Sequence, residues 1–301
     1  MDSLRLIIIL SKPLLLLGGV LTYALGVGIA FYLGVRIDWS IYLLGQAWVT
    51  MLQISGHFLL EYYKNPLEEI NGSVKPANRG TTGRRGGYLP QRSLKIAAFA
   101  CLAVVAALSV IMISKLRLVP EAYLIMGLCF LGAFFYSTPP LRLETTGYGE
   151  LIVSVLLGFM VPAFSFCLQA GEFHPLVAIS TFPLVTLCLA MFITMEFPDY
   201  TADLWQSKRT LLVRTGWQSG MTLHNLLILT AFLLLLLASI VGLPRFVLFP
   251  ALMTLPLGLL ELWQMWRIGN GARPNWKALS INSVALFGSM AYMITYAYWS
   301  H

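Results

Sequence analysis

Long apolar stretches separated by short polar breaks run through the whole chain. A membrane-spanning helix needs about 20 mostly apolar residues, whereas a barrel strand needs about ten residues of alternating polarity, which is not the pattern here. The pattern predicts an all-α fold with nine membrane-spanning helices, over residues 13–35, 39–63, 94–114, 120–137, 148–169, 175–197, 222–243, 246–265 and 278–299. Little chain remains outside these helices, so residues 1–301 are expected to form a single membrane domain.

The composition agrees with this pattern. Hydrophobic residues make up 58% of the 301 residues and charged residues only 11%, against about a quarter in soluble domains. The mean hydropathy is +0.76. The net charge of +7 arises in short basic segments between apolar stretches, which indicates contact with anionic membrane lipid and no nucleic-acid partner. The four cysteines lie inside apolar stretches without CxxC spacing, so neither a disulfide framework nor a zinc site is expected.

The basic residues are divided unequally between the two sides of the predicted bundle. The N-terminus and the loops after the second, fourth, sixth and eighth helices hold sixteen lysines and arginines, and the other side holds four. Basic residues concentrate in cytoplasmic loops, which predicts a cytoplasmic membrane location with the N-terminus inside and the C-terminus outside. Two long polar segments on the basic side, 64–93 and 198–221, are predicted to be loops that cover a site.

One acidic segment follows the sixth predicted helix. A continuous helix would place Glu196, Asp199 and Asp203 at i, i+3 and i+7, on one face. Carboxylates so close to each other and to a membrane need compensation, and Mg²⁺ provides it, because this ion prefers carboxylate oxygens and is completed by substrate phosphates. Lys208 and Arg209 follow closely and are suited to hold a diphosphate. A solvated helix end with ordinary ion pairs explains the spacing equally well.

A second polar segment closes the second predicted helix. Gln53, His57 and Glu61 recur every four residues and form a polar stripe on an otherwise apolar helix. Such a stripe normally faces a cavity or the bundle interior. For His57, a helix-packing role is favoured over a catalytic one. Lys64 follows Glu61 at a spacing that allows an ordinary ion pair, and Pro66 is expected to end the helix.

The segment from Phe197 to Asp203, followed by Lys208-Arg-Thr-Leu-Leu-Val-Arg-Thr-Gly216, closely resembles the second Asp-rich motif of the UbiA superfamily of intramembrane prenyltransferases. It is most similar to the branch that prenylates 1,4-dihydroxy-2-naphthoate on the way to menaquinone. Ser11-Lys12-Pro13 resembles the opening motif of that family. Tyr136-Ser-Thr-Pro-Pro-Leu-Arg142, together with Gly147-Tyr-Gly-Glu150, resembles its segment between the fourth and fifth helices.

The first Asp-rich motif departs from the family pattern Asn-Asp-x-x-Asp-x-x-x-Asp. The chain has Leu60, Glu61, Lys64 and Glu68 at the four defined positions, and Met195 stands where an Asn is expected before the second motif. The two glutamates keep oxygen ligands. A protonated lysine cannot coordinate Mg²⁺, but it can bind a diphosphate as a point charge in place of one metal ion.

The resemblance implies a Mg²⁺-dependent transfer of a prenyl group from an isoprenoid diphosphate to an aromatic or other lipophilic acceptor. Mg²⁺ and basic groups would draw the diphosphate away from the allylic carbon, and aromatic walls would shelter the cation. The implied catalytic residues are Asp199, Asp203, Glu61 and Lys64; the diphosphate ligands are Lys12, Lys64, Arg142, Lys208 and Arg209; the cavity residues are Gln53, His57, Tyr62 and Tyr136; and the metal ligands are Asp199, Asp203, Glu61 and Glu68.

Three alternatives remain open at this stage. An aromatic belt at the membrane interface explains the tyrosines near the motifs equally well. The altered first motif favours, as a second function, a terpene cyclase of the same superfamily, in which the cation attacks double bonds of its own chain. A non-catalytic lipid-binding protein that keeps the fold is the third possibility.

Overall fold

The computed structural model describes residues 13–63, 91–116, 118–205 and 208–301, and these residues form helices and connecting turns with no strand. The helices are α1 (Pro13–Tyr32), α2 (Trp39–Tyr63), α3 (Gln91–Lys115), α4 (Pro120–Ser137), α5 (Gly149–Ala170), α6 (Pro175–Glu196), α7 (Tyr200–Trp205), α8 (Leu211–Thr215), α9 (Trp217–Val241), α10 (Arg245–Leu252), α11 (Leu255–Gly269) and α12 (Trp276–Ser300). The all-α prediction is confirmed.

Eight segments within the described ranges are long and apolar enough to cross a membrane, against nine predicted. The remaining predicted span is α2, a helix of 25 residues with the predicted bounds. It does not qualify as a candidate span because its polar side chains, including Gln46, Gln53, His57 and Glu61, lower its mean hydropathy. The chain is therefore an integral, multi-pass membrane protein in which one long helix carries a polar stripe.

Four helices form the centre of the bundle. The membrane-spanning parts of α1, α5, α6 and α12 are 50% to 67% buried, whereas those of α3, α4, α9 and the α10–α11 pair are only 17% to 33% buried. Tyr23, Phe164, Leu184 and Met290 are fully enclosed in the shared hydrophobic core. The outer helices expose large apolar side chains, as expected for surfaces that contact lipid chains.

Proline positions explain two irregularities among the helices. The predicted eighth span is divided into α10 and α11 by a turn at Met253 and Thr254, because Pro250 lies inside α10 and Pro256 lies in the first turn of α11. The fifth span, α5, contains a π turn at Leu156–Met160 just before Pro162. A proline in the helix interior removes a backbone donor, and a wider turn accommodates this loss.

The segment 198–221, predicted to be a covering loop, contains short helices, and its role as a cover stays a prediction. The chain continues from α6 through a 3₁₀ turn (Phe197–Asp199) into α7, and then forms α8 and the start of α9. Thr210 accepts a hydrogen bond from the Val213 N–H (3.4 Å) and thereby caps α8, and Gly216, with φ of +82°, reverses the chain before α9. Of the other predicted loop, 64–93, residues 64–90 lie outside the described residues, and residues 91–93 are the first turn of α3.

Candidate active site on the motif side

The second Asp-rich segment lies where α6 ends and α9 begins, and we call this face of the bundle the motif side. Phe197 is buried beneath the 3₁₀ turn; its ring stacks on Trp276 (centroids 5.8 Å apart, planes 2° apart) and meets Trp217 edge-on at 5.0 Å. These contacts fix the turn that carries Asp199. Asp199 itself is exposed, and Asp203, one turn further along, is buried, with 9% of its surface exposed.

Glu196 does not extend the line of aspartates in the way the helical spacing predicted. Because the 3₁₀ turn interrupts α6, the Glu196 carboxylate accepts a hydrogen bond from the Leu212 N–H (3.0 Å) at the start of α8. The same carboxyl group lies close enough to that of Glu150, in the first turn of α5, to interact with it directly. Glu196 thus connects α6, α5 and α8, while Asp199 and Asp203 remain as the pair that follows it.

The turn between α4 and α5 is docked onto the chain that follows α7. The Arg209 N–H donates to the Thr145 carbonyl oxygen (3.1 Å), and the Arg214 guanidinium donates to the Thr146 carbonyl oxygen (3.0 Å) and covers the Tyr148 ring at 4.8 Å. Gly147 allows this approach: its φ is +74°, and a Cβ atom there would lie 2.6 Å from the Arg209 carbonyl oxygen. The two segments that resemble family motifs are therefore in contact.

Arg142 and Tyr136 belong to this docked turn and its helix. Arg142 adopts a left-handed conformation (φ +38°), and its Nε is buried with no hydrogen-bond partner among the described residues. A buried, unpartnered guanidinium nitrogen is costly unless an acceptor binds it. Tyr136 lies within electrostatic range of Glu144, Glu150 and Glu196. Tyr136 therefore lies near Glu196, and Arg142 belongs to the turn that contacts the chain after α7.

The polar stripe of α2 is partly buried in the bundle. The Gln53 amide lies directly against Gly19 of α1, and its buried Oε1 has no hydrogen-bond partner among the described residues. His57 and Glu61 are half-buried. Tyr62 packs against the hydrophobic cluster between α2 and α3 that includes Leu94, and its assignment as a cavity residue stays a prediction.

The described carboxylates suit a Mg²⁺ ion that protein and substrate coordinate together, and not an ion enclosed by protein ligands alone. Within the described ranges, no three His, Cys, Asp or Glu side chains are placed to hold a metal ion together, and the assignment of Glu61 as a metal ligand stays a prediction. Two carboxylates one helical turn apart nevertheless fit Mg²⁺, which commonly takes one or two carboxylates and completes its shell with water and substrate phosphate. Lys208, whose N–H donates to the Asp203 carbonyl oxygen (3.0 Å), is tied to this pair. The predicted site residues Lys12, Lys64 and Glu68 lie outside the described residues.

Three residues of this region are missing from the sequence-based set of site residues. Glu150 lies against Glu196, and Trp217 and Trp276 hold Phe197 in place. Glu150 lies within a segment quoted for its family resemblance, and its position at the start of an apolar helix was the available signal. The two tryptophans resemble interfacial aromatic residues in sequence, so only the fold shows their contact with the motif.

Fold and site together define a polytopic, all-helical membrane protein with carboxylates and basic groups gathered on one side. The chain belongs to the UbiA prenyltransferase family, whose model matches residues 19–290. No curated protein matches the sequence.

Solved structures share the fold at low sequence identity. A digeranylgeranylglyceryl phosphate synthase is 16% identical, with a TM-score of 0.66 and full coverage of both chains. A UbiA homologue from Archaeoglobus fulgidus bound to GPP and Mg²⁺ is 16% identical, with a TM-score of 0.61 over 96% of this chain and 99% of that one. The apo UbiA homologue from Aeropyrum pernix K1 is 14% identical, with a TM-score of 0.59 over 99% and 98%.

Proposed function

We propose that the protein is a Mg²⁺-dependent intramembrane prenyltransferase that moves an isoprenoid chain from its diphosphate to an aromatic or other lipophilic acceptor, with 1,4-dihydroxy-2-naphthoate as the first acceptor to test. The observation that carries the proposal is the Asp199 and Asp203 pair, held one turn apart by an aromatic cluster and followed by Lys208 and Arg209. Structures of the Archaeoglobus fulgidus homologue are bound to GPP or DMAPP together with Mg²⁺, which supports this substrate class.

Different residues of the site have different roles in binding the diphosphate. Asp199 and Asp203 would hold Mg²⁺, which when bound neutralises charge on the leaving oxygens. Arg142, Lys208 and Arg209 donate hydrogen bonds to the remaining phosphate oxygens and hold the group in one orientation. The bond between the allylic carbon and the bridging oxygen then breaks, and the electron pair leaves with the diphosphate.

The groups beside the second motif suit the positive charge that forms on the prenyl chain. The face of the Tyr136 ring attracts a cation, and this residue lies within electrostatic range of Glu144, Glu150 and Glu196. The core shared by α1, α5, α6 and α12 is apolar, which would shelter the cation from water on that side of the site. An electron-rich acceptor carbon then forms the new bond with the cation and loses its proton.

Replacement of either aspartate by asparagine tests the assignment. With Mg²⁺, prenyl diphosphate and acceptor supplied to the detergent-purified protein, Asp199→Asn and Asp203→Asn should each lower kcat/KM by about 100-fold or more. Asp38→Asn is the matched control: this residue caps α2 on the opposite side through the Ser40 N–H (2.8 Å), and asparagine caps equally well. Full turnover in either motif variant, measured as product by mass spectrometry, contradicts the metal assignment.

The altered first motif favours a second candidate, a terpene cyclase. Glu61, Lys64 and Glu68 replace the aspartates of the family pattern, and a remodelled diphosphate site is typical of a divergent member. Incubation with prenyl diphosphates of several lengths, with and without the acceptor, separates the two activities. A prenylated aromatic establishes the transferase, whereas cyclic hydrocarbons or alcohols formed without acceptor establish the cyclase.

Lys64 provides a separate test of how the diphosphate is held. We propose that its ammonium group binds the diphosphate in place of one metal ion, because a lysine occupies a position where the family has an aspartate. Lys64→Asp should then alter both the activity and its dependence on Mg²⁺ concentration. Unchanged activity and unchanged Mg²⁺ dependence would remove this role from Lys64.

The topology is also a proposal. Since sixteen of the twenty basic residues belong to the N-terminus and to the loops predicted on the side of the second motif, we infer that this side faces the cytoplasm. Single cysteines introduced at Gly216 on the motif side and at Gly171 on the opposite side test the orientation in intact cells. A membrane-impermeant maleimide should label only the second.

A further inference from the structure

A cavity of about 210 Å³ lies between the end of α11 and the start of α12, on the motif side but outside the candidate active site. Its wall includes the side chains of Trp263, Gln264, Arg267, Arg273 and Asn275, with Leu279 at its apolar floor. Ligand pockets for small organic molecules usually measure about 300–1,000 Å³. The cavity is therefore too small for an isoprenoid chain and suits a single polar head group.

The charge around the cavity is positive. Arg267 and Arg273 are both exposed at its rim, and the residues that line it include no carboxylate. In the sequence, Glu261 is the only acidic residue after Asp203. Glu261 is fully buried and interacts with His224 at 3.0 Å, so its charge is directed into the core. The rim therefore favours an anion.

The approach to the cavity is apolar. Leu255, Leu259, Trp263 and Trp266 recur at helical spacing on α11, and each is between 39% and 63% exposed. This stripe faces lipid and ends at the cavity, where the Arg267 guanidinium lies 5.0 Å from the centre of the Trp263 ring. Tryptophan and arginine at the end of a lipid-facing stripe mark the level of the phospholipid head groups.

Gln264, one of the residues that line the cavity, carries a polar atom without a partner in the described part of the chain. The Oε1 atom of Gln264 is buried with no hydrogen-bond partner among the described residues. An unpartnered buried carbonyl is unfavourable unless a donor reaches it. A ligand that combines an anionic phosphate with a hydroxyl donor would satisfy both the arginines and this amide.

We propose that this cavity binds the head group of an anionic phospholipid of the phosphatidylglycerol type from the motif-side leaflet. The phosphate pairs with Arg267 and Arg273, the glycerol hydroxyls face Gln264, and the acyl chains lie along the exposed stripe of α11. Basic pockets between membrane helices bind anionic head groups in this way. The adjoining Trp276 stacks on Phe197, so the bound lipid lies directly behind the turn that carries the second motif.

Lipid exchange on the full-length protein tests the proposal. The protein is reconstituted in nanodiscs of phosphatidylcholine containing either phosphatidylglycerol or none, and the lipid that remains bound after detergent extraction is identified by native mass spectrometry. The wild type should retain phosphatidylglycerol in preference to phosphatidylcholine. Arg267→Gln/Arg273→Gln should lower that preference by about 30-fold, from the attraction of two basic residues for an anionic surface.

Two further variants separate the pocket from general surface charge. Lys115→Gln/Arg245→Gln removes the same two charges from exposed positions on the opposite side and should keep the preference. Ala272→Phe fills the cavity while both arginines remain, and should lose the preference. Each variant is first checked for a single size-exclusion peak and a wild-type melting temperature; where the double variant fails this check, Ala272→Phe alone decides.

Three outcomes would overturn the proposal. The first is an unchanged preference in the pocket variants. The second is an equal loss in the opposite-side control, which would indicate attraction to surface charge in general. The third is full displacement of the retained lipid by millimolar inorganic phosphate, which would indicate a site for free anions.

Discussion

Replacement of Gly147 by alanine places a methyl group in the joint between the α4–α5 turn and the chain after α7. The new Cβ would lie 2.6 Å from both the Arg209 carbonyl oxygen and the Arg214 Cδ, and 3.3 Å from the Leu211 nitrogen. The Arg214 side chain is able to move, but the carbonyl belongs to the backbone. We therefore expect the two segments to separate and the Arg209–Thr145 hydrogen bond to weaken.

The magnitude can be built from two contributions. A left-handed backbone costs an alanine roughly 1–2 kcal/mol, and loss of one hydrogen bond adds about 1 kcal/mol. Gly171 isolates the first contribution, because its φ is +70° and a Cβ atom there would have no neighbour within 4 Å. Gly171→Ala should thus destabilise the protein by about 1–2 kcal/mol, and Gly147→Ala by about 2–3 kcal/mol.

Two assays follow the pair of variants. Thermal unfolding in detergent should place Gly147→Ala a few degrees below Gly171→Ala, at roughly 2–4 °C per kcal/mol. Binding of a prenyl diphosphate with Mg²⁺ should weaken only in Gly147→Ala, because Arg209 shifts with its carbonyl group. Equal melting temperatures and equal affinities in the two variants would refute the idea that this close contact positions the site.

Two further variants probe the helical core. His224→Leu leaves the fully buried Glu261 carboxyl without its 3.0 Å partner and should lower the free energy of unfolding by about 3–5 kcal/mol. The double variant with Glu261→Leu should recover much of this loss. A double-mutant cycle from denaturant unfolding measures the coupling between the two residues, and full additivity would refute it. Gly26→Ala brings a methyl group onto the Pro162 carbonyl oxygen between α1 and α5, and this overpacking should lower the melting temperature by several degrees. Gly288→Ala is the neutral control, because a Cβ atom at that position meets open space.

The helices could be predicted from the sequence because their signals are local. The bounds of α2 follow from its apolar length and from Asp38, which caps its first turn by accepting the Ser40 N–H. The prediction for Glu196 failed because its partners are distant in sequence: Leu212 is sixteen residues away, and Glu150 belongs to another helix.

Short elements were the least predictable part of the site. The predicted loop 198–221 contains α7 and α8, with six and five residues, and helices this short have no clear periodicity of their own. Tertiary contacts stabilise them, above all the edge-on contact of Trp217 and the stacking of Trp276 with Phe197. The aspartates themselves could be located from the sequence, whereas the aromatic residues that hold them required the fold.

The docking of the α4–α5 turn has a consequence for how this region tolerates substitution. Two of the hydrogen bonds that dock this turn are accepted by the backbone carbonyl oxygens of Thr145 and Thr146, and every amino acid has such an oxygen. The hydroxyl groups at these positions donate instead within the turn, to the carbonyl oxygens of Arg142 (3.0 Å) and Leu143 (2.8 Å), so serine should replace either threonine while the joint persists. Gly147 and Arg214 should not tolerate replacement, because one provides the space and the other the donor. A saturation scan should therefore find permissive positions directly beside intolerant ones.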